Sequence, residues 1–173
     1  MNVIETERTL LREFNLADVE KMEEMYSDIN VMRYIGAGTV LNNEQTKKLL
    51  EYWINEYYKK FGYGMWGVEC RQTKKLIGQC GFNNLPGNAG IEIAYLLNQQ
   101  SWNKGLATEI SSETLKYGFE KLGFNTVFAL CYPQNIASIN VLNKIGMIPE
   151  GHRTFYGVDF LFYRKDRQIT STI

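Results

Sequence analysis

The stretch from Gly90 to Thr108 constrains the fold of this chain more than any other. GIEIAYLL, Gly90 to Leu97, is rich in β-formers and nearly apolar throughout, as a central strand covered on both faces should be. Glu92 breaks that apolar pattern. The strand runs through a short loop, NQQSWNKGLAT, straight into a segment where Leu106, Ile110, Thr114 or Leu115, Gly118 or Phe119 and Leu122 recur at helical steps, predicting a long helix that ends near Gly123. Such a loop presents successive backbone N–H groups, and the helix start adds the positive end of its dipole, so an anionic phosphate is the natural occupant. Gly105 and Ala107 are small enough to let a pyrophosphate approach the backbone. The spacing is not the G-x-G-x-x-G of dinucleotide folds, and G-x-x-x-x-G-K-S/T is absent from the chain.

The flanking sequence sets the order of elements. Thr9 to Phe14 alternates as an opening strand, and Asn15 with Asp18 makes an N-cap for a first helix from about Leu16 to Ser27. Glu44 to Lys60 places Leu49, Leu50, Trp53, Ile54, Tyr57 and Phe61 at helical spacing, a second amphipathic helix whose aromatics belong mostly to the core. Met65 to Glu69 and Leu76 to Phe82 read as a hairpin, Thr126 to Tyr132 as a strand, and Ile136 to Ile145 as a helix stopped by Gly146. Ile148 to Phe155 and Phe160 to Lys165 complete the strands, and Arg167 to Ile173 reads as a frayed tail. Hairpins combined with two strand–helix–strand crossovers require a mixed sheet, an α+β architecture.

Composition excludes whole classes of function. The 173 residues fit a single domain, residues 1–173, with no linker or repeat. Lys plus Arg number 19 and Asp plus Glu 19, so no net field gathers nucleic acid or an acidic membrane surface. No apolar run is long enough for a membrane span and the N-terminus holds no signal-like apolar core, so a soluble, cytoplasmic protein is expected. Cys70, Cys80 and Cys131 are odd in number and widely spaced, which argues against a disulfide framework or a zinc site. His152 is the single histidine, read as structural or surface, so His-based metal sites and Ser-His-Asp triads are disfavoured.

Four stretches together resemble the GNAT superfamily of N-acetyltransferases. WNKGLATE, from Trp102, looks like its acetyl-CoA pyrophosphate loop; TERTLLREF, from Thr6, is similar to the opening strand of the ribosomal-protein N-terminal acetyltransferase (RimJ/RimL-like) branch. IEIAYLL looks like that branch's central strand, and NIASINVLNKIGM, Asn135 to Met147, resembles its N-x-x-S-x-x-V-L-x-K-x-G-F stretch. The resemblance implies a mixed six- or seven-stranded sheet with about four helices and two central parallel strands, Gly90 to Leu97 and Thr126 to Tyr132, that splay apart. Acetyl-CoA is the implied cosubstrate, with no metal. Unpaired backbone groups of Ile93, Ala94, Tyr95, Leu96 and Leu97 would bond the pantetheine arm, since buried N–H and C=O groups demand partners. Asn103, Lys104, Gly105, Leu106, Ala107 and Thr108 would seat the pyrophosphate, Trp102 would pack beside it, and Asn135 and Ser138 would meet the pantetheine region. Lys104 reads equally as a solvated loop lysine.

The same resemblance implies attack of a neutral amine on a thioester. A lysine-type amine costs about 4.6 kcal/mol to present neutral at pH 7, an α-amine only about 1 kcal/mol. Glu92 is the candidate base, directly or through a water, because burial would raise its pKa toward a useful range; a structural carboxylate is the competing reading. The family's acid tyrosine falls at Leu142, which cannot donate a proton, so Ser138 is named in its place as a hydrogen-bond donor or relay. A covalent route through Cys131 is disfavoured, since no neighbouring base would lower its pKa. The acceptor is expected to be a protein N-terminal α-amine, with a small amine (a polyamine or amino-sugar antibiotic) as the alternative and a non-catalytic acyl-CoA sensor as the outsider. An acidic entrance from Glu23, Glu24, Glu51 or Glu56 would favour a polycation. Tyr34, Trp66 and Tyr156 are placed on the substrate side, and a monomer or a homodimer fits equally.

Overall fold

The computed structural model describes residues 2–168, folded around one mixed sheet of eight strands in the order β1-β2-β3-β4-β5-β6-β8-β7. The strands are β1 (Asn2–Glu5), β2 (Thr9–Arg12), β3 (Met65–Cys70), β4 (Leu76–Asn84), β5 (Ile91–Leu97), β6 (Thr126–Cys131), β7 (Ile148–Phe155) and β8 (Val158–Asp166). The helices are α1 (Val19–Tyr26), α2 (Ile29–Met32), α3 (Asn43–Tyr52), α4 (Tyr58–Phe61), α5 (Leu106–Glu120) and α6 (Ile136–Lys144). No helix of the described residues is long and apolar enough to cross a membrane.

The sheet exceeds the expected six or seven strands because of β1. Its few residues carry no alternation of their own and become a strand only by pairing with β2, around a turn in which Thr6 N–H donates to the Thr9 carbonyl at 3.0 Å. The helices likewise exceed four: α2 is a single short helix capped by Asp28, too brief to leave a periodic signal. Asn15 and Asp18 do form a reciprocal capping box, and Asp18 also takes a bidentate pair from Arg12 at 2.8 Å. The second amphipathic segment is one continuous rod in which a π-helical turn, Trp53–Tyr57, joins α3 to α4. Of the tail, Arg167 N–H donates to the Asn125 carbonyl at 2.8 Å, and residues from 169 onward lie outside the described residues.

What positions the site is the way β5 and β6 are held. β5 is paired along its length to β4, and β6 along its length to β8. Between them the parallel ladder holds one pair, Glu92 with Phe128, and then the strands part. Each strand is anchored on its outer edge, so the facing edges open without destabilising either.

Candidate active site

Successive side chains on a strand point to opposite faces, and contacts identify the two faces here. The Tyr95 phenol meets Ser138 Oγ of α6 at 2.8 Å, and its cross-strand neighbour Cys80 meets Thr114 of α5 at 3.4 Å, so Ile93, Tyr95 and Leu97 face α5 and α6. Gln79, paired with Leu96, accepts from the Tyr26 hydroxyl of α1 at 2.5 Å, so Glu92, Ala94 and Leu96 face the α1–α4 layer. The gap between the strands connects the layers through a cavity of about 940 Å³, within the range that encloses organic ligands.

On the α5 side the cavity is walled by main chain. Trp102 anchors the loop by donating its indole N–H to the Leu97 carbonyl at 2.7 Å. Asn103 (φ 58°) and Gly105 (φ 74°) adopt left-handed conformations, and Gly105 is the N-cap of α5 with no side chain to cap it. Left-handed turns of this kind gather successive N–H groups into an anion-binding concavity, and the uncapped first turn of α5 adds its own free donors. Gly105, Leu106, Ala107 and Thr108 all line the cavity. Asn135 caps α6 by accepting the Ser138 N–H at 3.2 Å and lines the cavity as well.

On the opposite side the cavity is walled by side chains. Glu92 lines it, half-buried; desolvation by the surrounding protein pushes its carboxyl up to about 7, partly offset by the backbone N–H of Leu130. Tyr156 sits within electrostatic reach of Glu92, at the two-residue hairpin turn between β7 and β8 where Tyr156 and Gly157 both take positive φ, as a type I′ turn requires. Tyr34 packs on Tyr132 at 5.6 Å, and the Tyr132 hydroxyl donates to the Gly36 carbonyl at 2.8 Å, tying the α2 strap across the end of β6. Trp53 and Phe160 complete an aromatic wall.

Most sequence-predicted residues therefore meet in one place. Glu92, Ile93, Ala94, Tyr95, Leu96, Leu97, Trp102, Asn103, Gly105 to Thr108, Asn135, Ser138, Tyr34 and Tyr156 line the cavity. Two do not. Trp66 is 2 % exposed and packs edge-on against Phe82 and Tyr117, because its strand position directs it to the α5 core rather than to the acceptor side. Lys104 is exposed and away from the lining, and its carbonyl accepts from Arg8. None of Glu23, Glu24, Glu51 and Glu56 lines the cavity. The Tyr95 phenol is a group that sequence reasoning passed over, having named only the backbone of that residue. Burial raises its pKa, its hydrogen bond to Ser138 opposes that less strongly, and it stays protonated. Burial also pushes the Cys131 thiol up, against a thiolate role. Among the described residues no group of His, Cys, Asp and Glu gathers to hold a metal; His152 pairs with Asp159 at 2.8 Å on the surface.

A parted strand pair, an uncapped helix start beside it and a carboxylate at the closing point define an acyl-CoA-dependent transferase. Residues 8–148 match the GNAT acetyltransferase domain, and the chain belongs to that family: it is an acetyl-CoA-dependent N-acetyltransferase. It is 34% identical over 150 residues to an uncharacterized N-acetyltransferase, YoaA, of Bacillus subtilis, a match covering 86% of this chain and 84% of that protein. A GNAT-family acetyltransferase from Bacillus anthracis superposes with a TM-score of 0.81 at 31% identity, covering 96% of this chain and 99% of the other. RimL, a ribosomal-protein α-N-acetyltransferase solved in complex with coenzyme A, shares the fold at 18% identity and a TM-score of 0.79, covering 96% of this chain and 98% of its own.

Proposed function

We propose that the acceptor is a primary α-amine, of a protein N-terminus in the first instance, deprotonated by Glu92. The observation that carries this reading is the single carboxylate lining the cavity. Among the described residues Glu92 is the one acid there, while Arg33 and Lys144 are the cations that line the cavity with it. One carboxylate with a pKa near 7 is matched to one amine that loses its proton near neutrality, whereas a polycation would leave its other charges unpaired against an aromatic wall.

Acetyl-CoA, when bound, supplies an activated acetyl thioester. The fit of the chain to it rests on the open β5 edge, where main-chain groups lack ladder partners, and on the donors around Gly105. Glu92 takes the ammonium proton on the α1–α4 side, where desolvation raises its pKa to about 7, close to the working pH. On the opposite face of the same strand, the Tyr95 hydroxyl and Ser138 Oγ form a hydrogen-bonded pair that would offer a donor to the thioester sulfur. A thiolate of pKa about 8.5 leaves without a strong acid, so a hydrogen bond suffices there.

The test is a panel of acceptors run at saturating acetyl-CoA: peptides with free N-termini, their N-terminally blocked lysine-containing counterparts, a polyamine and an amino sugar. A kcat/KM highest for the free α-amine peptides supports the reading, and a preference for the polyamine or the amino sugar overturns it. Absence of turnover with all four, alongside tight CoA binding, would point to a sensor instead.

A further inference from the structure

Arg8, in the turn between β1 and β2, makes a set of contacts that folding alone does not call for. Its Nη1 donates to the Lys104 carbonyl at 2.8 Å, its Nε donates to Glu109 Oε2 at 2.6 Å, and its backbone N–H donates to Glu109 Oε1 at 3.0 Å. Thr6 Oγ1 also donates to Glu109 Oε1, at 2.5 Å. A side chain 46% exposed gains little stability from an ion pair. All of these contacts instead converge on the loop and first turn that open α5.

We propose that Arg8 is a positioning residue for acetyl-CoA, acting through the peptide between Lys104 and Gly105 and through Glu109. It rests on the reading of Asn103–Thr108 as the seat of the diphosphate. In a trans peptide the C=O and N–H point in opposite directions, and the described residues contain no cis bond. With the Lys104 carbonyl turned to the guanidinium, the Gly105 N–H is turned away from it, toward the cavity that Gly105 lines. Gly105 puts no side chain between the guanidinium and this peptide: a Cβ placed there would find Arg8 Nη2, at 3.7 Å, as its only neighbour within contact range.

The second action is electrostatic. Glu109 lies in the first turn of α5, where a carboxylate suits the helix dipole but repels a dianion arriving at the same terminus. Burial works against its ionisation; Thr6, the Arg8 amide and the Arg8 guanidinium outweigh that and hold it ionised below the usual carboxylate range. The Arg8 charge then offsets a negative charge that is always present. Lysine cannot replace this, because a single ammonium has no fork to hold a carboxylate and a carbonyl in fixed directions.

The experiment measures CoA binding by calorimetry and compares acetyl-CoA with S-acetyl-pantetheine, a thioester lacking the diphosphate, in the parent, Arg8→Ala, Arg8→Lys and Gly105→Val proteins. For Arg8→Ala, CoA affinity falls about tenfold and KM for acetyl-CoA rises in step, while KM for S-acetyl-pantetheine stays within about twofold of the parent. Arg8→Lys recovers less than about half of that loss on a logarithmic scale. Unchanged CoA affinity in folded Arg8→Ala, full recovery by Arg8→Lys, or equal losses with both thioesters overturns the proposal. Should Arg8→Ala fail to fold by circular dichroism, Arg8→Lys alone decides through the same two thioesters. Gly105→Val separates the two layers of inference: if it too binds CoA like the parent, the diphosphate seat itself is misplaced, whereas if only the Arg8 variants bind normally, the seat stands and the role of Arg8 falls.

Discussion

The two walls of the cavity are made of different material. On the α5 side the surface is main chain: parted strand edge, left-handed turns at Asn103 and Gly105, an uncapped helix start. On the α1–α4 side it is side chain: Glu92, Tyr34, Tyr156 and Trp53, brought together from segments far apart in the chain, with Tyr132 packed behind Tyr34. A main-chain wall recognises what every acetyl-CoA molecule shares. A side-chain wall is free to change with the acceptor, and in this chain it is aromatic with a single acid.

Variants on the two walls should therefore fail differently. The largest effect belongs to Glu92→Gln, which lowers kcat at pH 8 by about 100- to 10,000-fold while leaving CoA affinity intact. The parent kcat should rise with pH through about 7, since only the ionised carboxylate accepts a proton, and the variant should lose that limb. The same substitution is stabilising. The folded carboxyl keeps its proton to about 7 against a reference of 4.5, so its contribution is fully present below 4.5 and is lost as pH rises through 7. The thermal midpoint of Glu92→Gln minus that of the parent should thus grow from pH 5 to pH 8; a difference that shrinks would show the carboxylate to be a stabilising structural acid. Next, Gly105→Val should raise KM for acetyl-CoA at least about tenfold, because a β-branched residue held at φ 74° stores roughly 1–3 kcal/mol of strain and its Cβ would stand against Arg8 Nη2. Smaller still, Tyr95→Phe should lower kcat about two- to tenfold with KM for both substrates unchanged, the cost of one hydrogen bond. Smallest, Tyr132→Phe removes the bond to the Gly36 carbonyl and should raise KM for the amine about two- to fivefold without moving that for acetyl-CoA. If Tyr132→Phe and Gly105→Val affected the same substrate, the division between walls would be wrong.

The main-chain wall was legible in the sequence because its signals are local. A small residue at Gly105, a strand before it and a helical period after it are all contained in Gly90 to Leu122. The capping box at Asn15 and Asp18 was legible for the same reason, since its two partners are three residues apart. Trp66 was misplaced because a large aromatic in a strand reads alike on either face, and only the register with β4 directs it to Phe82. The phenol of Tyr95 was overlooked because its partner, Ser138, is 43 residues away and meets it only across the opening between the strands. The π-helical turn at Trp53–Tyr57 leaves the apolar spacing of its segment almost unchanged and gave no warning.

By itself, the sequence determined the family, the order of the strands from β2 onward and of the longer helices, and the loop that opens α5. Backbone conformation answers to nearest neighbours, and glycine, asparagine and apolar period state their demands within one or two turns of chain. Only the tertiary structure decided that β5 and β6 meet at a single pair, that the acid of that pair loses solvent beside the α1–α4 layer, and that Arg8 reaches the Lys104 carbonyl 96 residues away. Burial and partnership are properties of chain segments brought together in space, and no local pattern encodes the solvent a carboxylate loses when distant segments close around it.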